Sequence, residues 1–165
     1  MHPYIERILG KLGERDPITV LETTPLLLEG YLNAFFETDF ERSYAPGKWT
    51  AQDILAHLAD AELGLGFRFR QAVTLANYTP DAFDQDLWAK RYKRLEPALA
   101  FETFRALRAW NLALFATFDL EDWNREVDYP FEGIGTVDEM VRFLAGHDLN
   151  HLEQLEHIAK AVSKA

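Results

Sequence analysis

The chain of 165 residues predicts an all-α protein built as a four-helix bundle. Three observations carry that expectation. Four long stretches repeat apolar residues at the helical period, no segment reads firmly as a strand, and a turn-rich segment over residues 77–97 separates the second stretch from the third. Residues 1–165 read as one domain, with 1–16 as an N-terminal lead-in.

Residues 3–13 form a short helical lead-in. Asp16-Pro17 marks a helix start, with Asp as the cap and Pro at the first helical position. The first long helix runs from there to about Phe36 and places Leu21, Leu28, Leu32 and Phe35 near one face. Pro25 removes a backbone donor within it, so the helix either kinks at Pro25 or begins there. Residues 37–49 are a loop closed by Pro46-Gly47. Thr50-x-x-Asp53 is a capping-box-like start for the second long helix, which runs to about Ala76. Its apolar stripe is Ile54, Leu58, Ala61 and Leu65, with His57 beside it.

The segment 77–97 carries Pro80, Asp81, Asp84, Asp86 and Pro97 among the aromatic residues Tyr78, Phe83, Trp88 and Tyr92. Its basic run, Lys90, Arg91, Lys93 and Arg94, reads as a solvated surface in preference to a lid for an anionic substrate. The third long helix covers about Ala98 to Phe118, with core from Phe101, Phe104, Leu107, Leu112, Leu114 and Phe115 and with Trp110 as packing. Residues 119–135 are a second polar loop ending in Gly133-Ile134-Gly135. Thr136-x-x-Glu139 is a capping box, and the fourth helix follows to about Ala161. It aligns Val137, Met140, Leu144, His147, His151, Leu155 and Ile158 on one face. An extended link over 77–97 reaches roughly 70 Å, against about 39 Å for the second helix at ~1.5 Å per residue. The link therefore permits parallel second and third helices, the up-down-down-up order.

Hydrophobic residues make up 48% of the chain, enough for a sizeable core. A net charge of -10 argues against nucleic acid and against an anionic membrane surface as partners. No apolar run reaches membrane-spanning length, and the first residues lack the apolar core of a signal peptide, so a cytoplasmic protein is expected. There is no cysteine. That rules out disulfides, a cysteine nucleophile and a thiolate metal site, and any thiol chemistry needs a thiol co-substrate.

The chemistry concentrates in Gly146 to Ile158, GHDLNHLEQLEHI. His147 and His151 stand four apart on the core-facing side of a helix, where two imidazoles can reach one metal ion. Two histidines turned inward need a polar reason to be there. HDLNH is not the HExxH of a zincin, because Asp148 stands where the general-base Glu would be. A carboxylate-bridged di-iron bundle needs Glu-x-x-His, and no Glu stands three residues before any His. His2 and His157 read as surface residues; Glu62 and Arg68 follow His57 on its helix, Arg68 close to its face and expected in a surface salt bridge.

GKWTAQDILAHLADAE at 47–62 and GIGTVDEMVRFLAGHDLNHLEQLEHI at 133–158, in this order and separation, resemble the DinB-like (YfiT-like) family of four-helix bundles. The likeness spans about residues 17 to 160. It implies the up-down-down-up order and a divalent metal held by His57, His147 and His151. Three neutral imidazoles keep the full charge on the ion and leave coordination positions open, as in catalytic sites. Zinc or nickel suits an all-nitrogen set best, with iron or manganese also admitted. Gln154 first, then Asp60 and Asp148, are candidates for orienting the rings. The resemblance also implies transfer of a low-molecular-weight thiol, of the bacillithiol or mycothiol kind, to an electrophile. Metal-dependent hydrolysis, thiol-dependent isomerisation and a non-catalytic metal-binding or dimeric bundle are the alternatives. A homodimer is expected from the resemblance and the aromatic content.

Overall fold

The structure is a computed structural model and describes residues 2–81, 84–128 and 135–162. Phe83, Gly133 and Ile134 lie outside the described residues. The helices are α1 Pro3–Leu12, α2 Pro17–Ala34, α3 Ala51–Thr74, α4 Gln85–Ala89, α5 Pro97–Phe115, α6 Leu120–Trp123 and α7 Val137–Val162. Single 3-10 turns form at Glu37–Asp39 and Tyr92–Arg94. No strand occurs among the described residues, and none of their helices is long and apolar enough to cross a membrane.

Local chemistry sets the ends. Asp16 caps α2 by accepting from the Thr19 amide at 2.7 Å, with Pro17 at the first helical position. The helix passes through Pro25 without ending. Pro25 has no N–H, so the carbonyl of Leu21, four residues earlier, is left without its intrahelical donor. Thr50 and Asp53 form a reciprocal capping box at α3, at 3.1 and 3.0 Å. Thr136 Oγ1 accepts from the Glu139 amide at 3.2 Å at the start of α7, while the Glu139 carboxylate reaches back to the Gly135 amide at 2.6 Å. Within 119–135, where a polar loop is expected, Asp119 caps the short helix α6. Trp110 is 67% exposed and not packed, because it falls on the solvent arc of α5.

The connections put the long helices in the up-down-down-up order. Glu62 meets Arg108 and Phe69 meets Phe115, so α3 and α5 advance in the same direction. Trp49, just before α3, stacks on His151, while His57 meets His147, so α3 and α7 run opposite. The segment 75–96, with α4 and one 3-10 turn, makes the crossover. The exposed residues Lys90, Arg91, Lys93 and Arg94 lie on it.

The apolar core comes in two parts. One gathers around Leu21, Leu65, Phe69, Phe115, Met140 and Leu144. The other gathers around Leu28, Ile54, Leu58, Phe104, Leu155 and Ile158. Buried polar side chains lie between these two groups on each long helix, as Thr24, Glu62, Arg108 with Asn111, and His147 to His151; on α3, Asp53, His57 and Arg68 are buried too, beside residues of the groups themselves. A polar layer thus crosses the bundle at mid-height, and the site is at this layer.

Candidate metal centre

His57 comes from α3, and His147 and His151 from consecutive turns of α7. These residues are 3%, 4% and 3% exposed, so the stripe that turned His147 and His151 inward is realised, and His57, beside its own stripe, is buried as well. His57 Nε2 lies 2.9 Å from His147 Nε2, which lies 3.1 Å from His151 Nε2. One donor nitrogen from each ring falls within 4.8 Å of the others.

Burial first, and then the neighbouring His151, hold His57 well below its ordinary pKa. Burial and the charges of His151, His57 and Arg108 do the same to His147. Burial takes His151 down to about 4, with Gln154 opposing the shift. All three rings are therefore neutral at pH 7, the form that binds a metal.

The tautomers expose the problem a cation would solve. Gln154 Oε1 accepts from His151 Nδ1 at 2.9 Å, so His151 Nε2 carries a lone pair. His147 Nε2 must then meet His151 Nε2 and His57 Nε2 together, and its contact with His151 needs the proton on His147. One proton is left to serve both contacts. His147 Nδ1, on the far side of its ring, is buried with no hydrogen-bond partner among the described residues. A positive ion that accepts one lone pair from each ring removes the conflict, so the donor set fits a divalent metal ion.

Trp49 walls the site, its ring centroid 4.6 Å from that of His57 and 6.0 Å from that of His151. On the remaining side is a cavity of about 240 Å³, lined by His57, His151, Trp49, Gln154, Asn150, Arg7, Lys48, Tyr4, Tyr44, Gly47 and Gln85. Among these lining residues there is no carboxylate and there are two cations. Arg7 is steadied by Asn150 Oδ1 at 3.1 Å. It and Tyr4 belong to α1, which lies against α7 where Gly146 offers no side chain; a Cβ at that position would overlap the Ile8 carbonyl.

Of the residues expected to orient the rings, Gln154 bonds to His151. Asp148 does not bond to a histidine. It follows His147 by one position, about 100° around α7, and its carboxylate is taken by Arg108 of α5 at 2.7 and 3.1 Å. Asp60 is half-buried beside Tyr92 and is likewise not bonded to a histidine among the described residues. His2 caps α1, and His157 lies exposed near Tyr44. Arg68 is buried, not on the surface, and donates to the Asp81 carbonyl. Glu62 is buried against Arg108 at 2.7 Å. Arg108 and Asn111 went unread in the sequence, although Phe101, Phe104, Arg108, Asn111 and Phe115 follow the spacing of a single core stripe, and two polar letters within it are the signal. Arg7 and Lys48 carry no such signal.

The sequence model of the DinB superfamily matches residues 21–155. A protein of Oceanobacillus iheyensis, named provisionally as a metal-dependent hydrolase, is 24% identical over 87% of this chain and 84% of its own length. YfiT of Bacillus subtilis, named in the same provisional way, is 22% identical over 87% of this chain and 82% of its own. The solved YfiT structure, described as having an unusual four-helix bundle topology, superposes with a TM-score of 0.83 at 21% identity, covering 89% of this chain and 86% of that one.

Proposed function

From the premise that this chain belongs to the DinB superfamily, we propose that it is a divalent-metal-dependent enzyme whose ion is held by His57, His147 and His151. Zinc or nickel suits the three nitrogens best. The proposed reaction is transfer of a low-molecular-weight thiol to an electrophile. A bound divalent ion would supply acidity, which strips the proton from a coordinated thiol outright but brings water only to a pKa of about 7–9.

The observation that carries the thiol reading is the cavity beside the histidines, which has no Asp or Glu among its described lining residues. A nucleophile that gives up its proton to the solvent on binding needs no base there, whereas water activation in zincin fashion does. The chain's own groups bind and orient. Gln154 holds the His151 ring with its Nε2 lone pair inward, Trp49 shields the rings from bulk water, and Arg7 and Lys48 place positive charge at the mouth for an anionic part of the substrate.

Hydrolysis is the second reading, and the names of the Oceanobacillus and Bacillus relatives favour it. Zinc- or nickel-loaded protein given an aromatic chloride should consume a small thiol, and the loss of free thiol should vanish in His57→Ala and His151→Ala. Ester cleavage by the loaded protein in the absence of thiol, with no thiol consumption in its presence, decides for hydrolysis.

A further inference from the structure

The long helix α5 supplies no histidine, yet one of its side chains bonds to each of the other three long helices, α2, α3 and α7. Arg108 is 1% exposed. Its Nη1 donates to Asp148 Oδ2 on α7 at 2.7 Å and to the Leu21 carbonyl on α2 at 2.9 Å. Its Nη2 donates to Glu62 Oε1 on α3 at 2.7 Å and to Asp148 Oδ1 at 3.1 Å. The Leu21 carbonyl is the one that Pro25 strips of its helical donor, so the proline inside α2 and the arginine inside α5 complete each other. Burial opposes the guanidinium charge, but Asp148 and Glu62 outweigh it and keep the group protonated.

Asp148 adjoins His147 in the chain, and Glu62 lies on α3 just beyond His57. The apolar clusters on either side are held by contacts without direction, which tolerate a helix sliding by a fraction of a turn. A two-pronged guanidinium–carboxylate pair does not. We propose that Arg108 is a positioning residue, which fixes the height of α3 against α7 so that His57 reaches the point where His147 and His151 converge. Buried ion clusters add little net stability compared with apolar packing of similar volume, and fixing register is the best-attested use for them. This proposal rests on the metal reading above.

The test compares the parent with Pro25→Ala/Glu62→Leu/Arg108→Met/Asp148→Leu, in which the ions leave together and Leu21 regains an intrahelical donor. Urea unfolding of the metal-free proteins should give the variant a midpoint no lower than the parent's. Its Co²⁺ affinity, by chelator competition, should be at least about tenfold weaker, and its Co²⁺ absorption bands should shift and lose intensity. Parent-like affinity and bands in the folded variant would overturn the assignment. Arg108→Lys keeps the charge and loses the fork, so it serves the same test if the fourfold variant does not fold. It should show the same Co²⁺ defect, and parent-like binding by it overturns the proposal equally. A parent that takes up no Co²⁺ overturns the metal reading itself, and this inference with it; a parent and variant that bind alike remove this inference alone.

Discussion

Two clusters in one polar layer are finished in different ways. Around Arg108, the guanidinium prongs, both carboxylates and the Asn111 amide are matched within the protein, leaving Arg108 Nε as the one atom without a partner among those described. Around the histidines, three ring nitrogens crowd together with one proton between two contacts, and a cavity opens beside them. A cluster that satisfies itself needs nothing from outside and acts as structure. A cluster left short of positive charge is set up for a ligand.

The comparison breaks most visibly at the histidines. His147→Ala should reduce metal content from one ion per chain to nearly none, read by mass spectrometry after loading, while the variant keeps its helical signal. Next comes the satisfied cluster. Arg108→Ala leaves Glu62 and Asp148 buried without a counter-ion and should cost about 3–5 kcal/mol in urea unfolding. A loss under about 1 kcal/mol would show that water reaches those carboxylates and that the cluster is not closed.

Acid should separate the clusters further. The imidazoles are neutral in the folded protein and protonate near 6.5 once unfolded, so the unfolded state binds more protons as the pH falls. Metal-free protein should therefore lose stability between about pH 6.5 and 4, by roughly 3 kcal/mol for His151 alone given its shift to about 4. An unfolding midpoint that stays flat from pH 7 to 5 would contradict the burial of neutral rings. The smallest effect is expected at Gln154→Ala, which should weaken metal binding about 10–100-fold and change metal-free stability by only about 1 kcal/mol.

Much of this was legible in the sequence because caps and periods are local. Asp16-Pro17, Thr50 with Asp53, and Thr136 lie at the starts of the helices they announce. The inward pair His147 and His151 follows from the stripe that also holds Leu144 and Leu155. The length of the crossover by itself only permitted the parallel pairing of α3 and α5, since a loop that can span a distance need not do so; the paired motifs of 47–62 and 133–158, through the family they resemble, implied it. The helix Leu120–Trp123 is too short to show a period. Asp148 was misplaced for a geometric reason: adjacency in sequence to a ligand puts a helical residue on a different face from it. The cavity lining was out of reach for another reason. Arg7, Lys48 and Gln85 come from three separate segments and meet only through the tertiary fold.

The contact of α1 with Gly146 ties the leading helix to the lining of the cavity. The leading helix is seated on α7 by a missing side chain, lies outside the span matched by the superfamily, and lends Tyr4 and Arg7 to the cavity lining. The three histidines and two of the side chains that line the cavity beside them are therefore carried by different pieces of chain. A substitution at Tyr4 or Arg7 therefore changes the cavity lining without touching any histidine of the cluster.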